Sequence, residues 1–337
     1  MINLYKILFF NLLISSTLIS ISTLSWFTAW IGLEMNLLAI LALMKTTENK
    51  FSAEATIKYF IVQAMASSLL LFSIVIFSCL NLLNFQISLM PSLLIGSTLI
   101  LKMGAAPLHF WLPEVTAGLS WNLVFLILTW QKIAPFILLS YTMKSTIFFT
   151  LVIIFSSFIS SIQGINQICL RKIMAFSSIN HMGWMLSALM SSLNLWYYYF
   201  LIYSLMNMNI LYFFNKYHLI YMPQYNKMFI ANKTLKFLFA MNFLSLGGLP
   251  PFIGFYPKWL TIDFLVNNNF FWLSFTLSIL TLGTLYFYSR LIFPALTLTQ
   301  LDSISLPLPG KTNYYFSFIN FTLLGSLPLT FSMMSFL

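Results

Sequence analysis

Residues 101–114 read LKMGAAPLHFWLPE. The stretch begins inside an apolar run and then sets Lys102, Gly104, Pro107, His109 and Pro113 within about four helical turns, a combination that an ordinary membrane helix does not need. Pro107 has no amide hydrogen and its ring crowds the carbonyl four residues back, at Met103, so the helix is expected to open beside Lys102. In hydrocarbon, the backbone groups freed by such a break must line protein or water. An ionisable group at a broken helix near mid-bilayer is how transporters build an ion site, and we read the stretch as one.

The rest of the chain fits that setting. Of its 337 residues 60% are hydrophobic and only 7% are charged, so the solvent is lipid and no soluble class fits. Cys79 and Cys169 fall at the ends of spans that face opposite sides of the membrane, which argues against a disulfide. The first 15 residues, MINLYKILFFNLLIS, carry no Arg-rich amphipathic leader and read as the first span. Arg occurs only at positions 171 and 290, while Phe, Ile, Leu, Met and Asn abound, a bias expected of an AT-rich genome such as an organelle's.

A window of about 20 apolar residues per span predicts eleven helices, at 3–22, 25–44, 54–80, 88–112, 119–142, 147–165, 173–190, 195–214, 237–266, 270–292 and 314–335. Twelve of the 16 basic residues then fall on the side that carries the N-terminus, and Lys144 alone falls on the other. That asymmetry puts the N-terminus on the matrix or cytoplasmic side and the C-terminus across the membrane. The net charge of +10 is mostly this topology signal, spread over short loops, and does not describe a nucleic-acid surface.

Three lysines remain inside spans, each beside a helix breaker: Lys102, Lys132 in TWQKIAPF and Lys258 in LGGLPPFIGFYPKW. Gly104, Pro107, Pro113 and Glu114 align with Gly248, Pro251, Pro257 and Lys258 at a constant offset of 144 residues, which leads from the fourth helix to the ninth. A repeat displaced by an odd number of spans is inverted in the membrane. The fold class expected is therefore all-α: a polytopic membrane protein of about eleven transmembrane helices, with two inverted five-helix repeats over 1–145 and 146–293, broken helices 4 and 9, and a loop plus C-terminal helix over 294–337.

Glu34, in WIGLEMNLL, sits mid-span with no neighbour of opposite sign within a turn. Holding one acid and three lysines in the membrane costs about 2.5–3.5 kcal/mol apiece, roughly 10–14 in total. A Glu34–lysine lock between helices is the structural alternative, but apolar packing would do that with less desolvation, and it leaves three lysines for one acid. His109 and His181 suit either a hydrogen-bonded packing role or proton transfer. Glu54 and Lys58 read as a solvated i,i+4 pair, Glu114 and Asp263 lie near span ends, and WYYYF at 196–200 reads as an interfacial belt. With no Gly-rich phosphate loop, cysteine cluster or haem-type ligand pair, the chain is expected to hold no cofactor and no metal of its own.

The stretches WIGLEMNLLAI, LKMGAAPLHFWLPEV, QKIAP, LRKIMAFSSINHMGWM and GGLPPFIGFYPKW together resemble the antiporter-like membrane subunits of respiratory complex I, the proton-pumping NADH:ubiquinone oxidoreductase, in their short animal form. The resemblance covers almost the whole chain. It implies that Glu34 pairs with Lys102, that Lys132 lies on a central hydrophilic axis, and that Lys258 is the lysine of the second broken helix. NADH, FMN, iron–sulfur clusters and ubiquinone are then expected in other subunits. The partners implied are antiporter-like subunit 4, the small subunit 4L and accessory subunits, in the mitochondrial inner membrane. His109 and His181 fall in matching motifs without a definite role. A stand-alone cation/proton antiporter would use the same lysines, and a membrane scaffold would tolerate their loss.

Overall fold

The computed structural model describes residues 4–44, 50–82, 89–143, 145–224, 233–297 and Gly325. Apart from Gly325, the expected span at 314–335 lies outside the described residues, as does the loop lysine Lys227. Among the described residues the named elements are all helices: α1 (Leu4–Ser22), α2 (Trp26–Met44), α3 (Lys50–Leu82), α4 (Leu89–Met103), α5 (Trp111–Gly118), α6 (Trp121–Leu128), α7 (Trp130–Ser140), α8 (Thr146–Ile165), α9 (Leu170–Ser191), α10 (Leu193–Lys216), α11 (Lys233–Gly247), α12 (Phe255–Asn267) and α13 (Phe271–Thr297). The chain is an all-α, polytopic membrane protein. Among the described residues six stretches, Leu4–Ser22, Trp26–Met44, Lys50–Cys79, Trp121–Ser140, Thr146–Ile165 and Phe271–Phe293, are long and apolar enough to cross a bilayer.

The other described ranges are helical but depart from a simple apolar rod. The expected spans 88–112 and 237–266 each fall, over their described residues, on two helices separated by a turn, α4 then α5 and α11 then α12. α9 is less apolar because it is enclosed by protein, with Ser177, Ser178, Asn180 and His181 all buried. Serines in these helices satisfy themselves: Ser156, Ser160 and Ser177 each donate to the carbonyl three residues back, so hydroxyls enter an apolar interior without orphaned donors.

Two compact units divide between Val152 and Ile153. In the first, α1 and α2 form a hairpin so close that a Cβ on Gly32 would stand 2.9 Å from Ser20 Cβ. α3 packs on α2, α4 and α5, and α4 packs on α7. Lys58 near the start of α3 forms ion pairs of 2.8 Å with both Glu54 and Glu114, so the expected pair is a fork that also holds α5. All three side chains are exposed in the chain, and the fork is worth little to stability. In the second unit α9 is packed by α10, α12 and α13, and α11 lies against α10 and α13. Arg290 of α13 donates to the carbonyls of Ile165 and Gln167 and to the Met222 sulfur, capping the end of α8. Residues 168–170 pair with 220–222 beside it. Cys79 and Cys169 are both free thiols.

Candidate functional site: buried lysines at two helix breaks

The same local device ends α4 and α11. Gly104 has φ 77° and Gly248 has φ 81°, the left-handed conformation that closes a helix with little strain only at glycine. Gly104 N donates to Leu101 O at 3.2 Å and Ala105 N to Ile100 O at 3.2 Å; Gly248 N donates to Ser245 O at 3.0 Å and Leu249 N to Leu244 O at 3.3 Å. Both are Schellman closures. The break therefore falls at the glycine, three residues before Pro107, because a left-handed residue reverses the chain while proline only forbids its continuation.

In the first unit the break leaves the Lys102 carbonyl without a helical donor and the Leu101 carbonyl with only the closing Gly104 amide, and side chains complete both. Trp111 Nε1 donates to Leu101 O and Gln63 Nε2 to Lys102 O, each at 3.1 Å. Lys102 itself is 7% exposed. It borders a cavity of about 20 Å³ whose polar lining comes from Asn36, Tyr59, Gln63 and Gln131, with Leu33, Leu37 and Pro135 completing the wall. Gln131 Nε2 donates to Asn36 Oδ1 at 3.0 Å across this wall. Glu34, half-buried one helical turn from Leu37, acts on Lys102 through its charge, yet the two stand farther apart than the 4.0 Å of an ion pair. Its Oε1 is buried and accepts no hydrogen bond from protein.

Lys132 is 1% exposed on α7, beside Gln131. The α6–α7 span is interrupted at Thr129, whose φ of −118° and ψ of −72° depart from helix, and Pro135 four residues beyond Gln131 removes the donor its carbonyl would use. His109, also buried, lies in the turn between α4 and α5 with Nδ1 3.1 Å from Pro107 O, outside the cavity lining.

In the second unit the lysine comes from beyond the break. Lys258, near the start of α12, donates to the carbonyls of Gly247 at 2.8 Å and Leu246 at 3.3 Å, the last of α11. Its amine stands 5.7 Å over the Trp184 ring, and its stem lies where a Cβ on Gly248 would meet Cδ at 2.8 Å. Trp184 is one turn from His181 on α9, and His181 Nδ1 is 3.0 Å from the Tyr199 hydroxyl. The expected belt at 196–200 is thus only partly one: helical spacing turns Trp196, Tyr199 and Phe200 inward and leaves Tyr197 exposed.

Sequence reasoning missed Asn36, Gln63, Gln131 and Tyr199. Each is a polar side chain in an apolar helix, which is the one signal that could have singled them out. Glu114, aligned with Lys258 by the 144-residue offset, takes a different part, pairing at an exposed position with Lys58. Asp263 is exposed on α12.

Residues 23–284 match the family model for the transmembrane region of NADH:quinone oxidoreductases and Mrp antiporters. NADH-ubiquinone oxidoreductase chain 2 of Anopheles gambiae is 49% identical over 290 residues, covering 85% of this chain and 84% of that protein. The Locusta migratoria protein of the same name is 41% identical, covering 87% and 86%. In fold, the chain is similar to a chain of respiratory complex I from Thermus thermophilus, with a TM-score of 0.85 at 22% identity over 99% of this chain and 79% of that one. It also resembles a chain of the Mrp complex from a Dietzia species, with a TM-score of 0.71 at 15% identity over 86% and 60%. Two Schellman-closed helices with buried lysines, and this sequence identity over most of the chain, place the protein: it belongs to the NADH:quinone oxidoreductase/Mrp antiporter membrane family, among the NADH-ubiquinone oxidoreductase chain 2 proteins.

Proposed function

We propose that the chain is the antiporter-like subunit 2 of mitochondrial respiratory complex I and that it moves protons through a buried relay of Glu34, Lys102, Lys132 and Lys258, with His109 and His181 as accessory groups. The observation that carries this reading is the recurrence, in each compact unit, of a buried lysine at a glycine-closed helix break. Packed helix axes stand about 8–10 Å apart. Proton transfer needs heavy atoms within about 3 Å or one bridging water, so waters held by the broken helices carry protons between the side chains. An acid near a buried amine favours its charged form. Movement of Glu34 toward Lys102 therefore makes that lysine hold its proton, and movement away makes it release, with redox chemistry elsewhere in the complex as the drive.

The two breaks, 144 residues apart with matching closures, support inverted repeats over 1–145 and 146–293 and eleven spans in all, the last in 294–337. NADH, FMN, iron–sulfur clusters and ubiquinone belong to other subunits. Antiporter-like subunit 4, subunit 4L and accessory subunits are the neighbours, in the inner membrane. The N-terminus lies in the matrix and the C-terminus in the intermembrane space. Arg290 and the 168–170 and 220–222 segments meet at one end of their unit, as the even-to-odd loops of this topology require.

Two experiments test the reading. Glu34→Gln keeps shape but removes the charge, and it is expected to lower proton pumping per NADH while the complex still assembles; normal pumping would take Glu34 out of the mechanism. An amine-labelling reagent applied to intact mitoplasts is expected to miss Lys227, and labelling from the outer face would reverse the topology.

A further inference from the structure

Gln63 of α3 stands where three features of the first unit meet. Its Nε2 is spent on the carbonyl of Lys102 itself, at 3.1 Å, so α3 holds the residue that carries the amine by its own backbone. The side chain also walls the cavity that Lys102 borders. Around it, α3 fastens both flanks of the break: Lys58 binds Glu114 beyond it, and the Tyr59 ring meets Trp111 edge-on at 5.7 Å, while Trp111 caps Leu101 before it.

The cavity is the right size and chemistry for one particle. Its volume of about 20 Å³ exceeds the ~10–15 Å³ one water needs. A buried water also needs two to four polar partners. Each amide here has one committed group and one left over: Gln63 has committed its nitrogen to Lys102 O, and Gln131 its nitrogen to Asn36 Oδ1, leaving carbonyl oxygens on both glutamines and the amide nitrogen of Asn36. With the Lys102 amine these supply donors and acceptors for a single water. An amide neither takes nor gives up a proton in the physiological range, so Gln63, Asn36 and Gln131 orient the water without competing for its proton.

We propose that Gln63 is a positioning residue for proton exchange at Lys102, fixing the lysine through its carbonyl and, with the Asn36–Gln131 pair, seating one water against the amine. The step is a proton transfer only: the ammonium N–H bond breaks as the water O–H bond forms, and the positive charge leaves on the water. The inference rests on the reading of Lys102 as a relay group.

The test uses the assembled complex in sealed vesicles and reads NADH-driven turnover, acidification and the solvent deuterium isotope effect. Gln63→Met keeps length and packing but removes the amide; because small displacements of a reacting group are costly, turnover is expected to fall about ten-fold or more at matched assembly, with a larger isotope effect. Gln63→Asn keeps an amide one methylene short and is expected to recover part of both. Turnover within about two-fold of wild type with an unchanged isotope effect would overturn the proposal, and so would slowing of both variants with no change in isotope effect, the mark of a merely structural residue. If Gln63→Met fails to assemble, Gln63→Asn decides by the same readouts. Lys102→Met separates the two levels of inference: if it pumps like wild type the relay reading itself fails, and if it is inactive while Gln63→Met is normal only the role of Gln63 is lost.

Discussion

Lys258→Met is expected to assemble into the complex and to lose most of its coupled proton pumping, at least about ten-fold. Two opposing effects decide the first half. Removing the amine strips the Gly247 and Leu246 carbonyls of their donor, and a buried group left unsatisfied costs about 1–3 kcal/mol. The same change relieves the burial of a charge in the membrane, which costs about 2.5–3.5 kcal/mol. These terms nearly cancel, and Met fills the same channel against Gly248 with a stem of similar length, so packing survives. On the proposed relay, nothing compensates the loss of this amine. Lys258→Arg keeps the charge but binds its proton too firmly to release it, and its wider head has to fit where Gly248 and Trp184 close on the lysine. NADH oxidation and vesicle acidification measured together, at matched amounts of assembled complex, check both variants. If Lys258→Met pumps like wild type, Lys258 is only a structural tie between α12 and the end of α11.

Gly254→Ala is expected to remove the assembled complex almost entirely. Gly254 has φ −67° and ψ −15°, which alanine adopts freely, so the backbone raises no objection. The obstacle is steric: a Cβ there would lie 1.8 Å from Ser245 O and 2.7 Å from Ser245 C. That neighbour is main chain, which cannot rotate away, and Ser245 O already accepts from Gly248 N in the closure of α11. α12 would have to retreat by more than about 1 Å to restore contact distance, carrying Lys258 off the two carbonyls it binds. Overpacking usually costs about 1–3 kcal/mol, and a contact against fixed backbone belongs at or above the upper end. Loss of the complex from native gels, with redox subunits retained in subassemblies, is the expected result. Full assembly of Gly254→Ala would mean that α11 and α12 are less tightly joined than their backbones indicate.

The sequence alone determined that the chain lives in lipid, that helices break close to Lys102 and Lys258, and that these two lysines, Lys132 and the half-buried Glu34 are held in the membrane at a cost that demands a reason. These are local properties: apolar run length, the missing donor of proline and the cost of charge in hydrocarbon are all carried by residues within a few positions of one another, whereas the placing of each break at its glycine came from the structure. The sequence could not tell which groups surround each lysine. Asn36, Gln63 and Gln131 reach the Lys102 cavity from α2, α3 and α7, and a single amide in an apolar helix carries no pattern that names its neighbour. Lys258 is held by two main-chain carbonyls, which every residue type supplies, so no side chain announces them. Glu114 was aligned with Lys258 but is tied to Lys58, 56 positions earlier, because α5 happens to lie along the start of α3. Which polar groups meet was decided only by tertiary structure, since the packing of helices distant in the chain sets which side chains share a cavity and which carbonyls lack a helical donor.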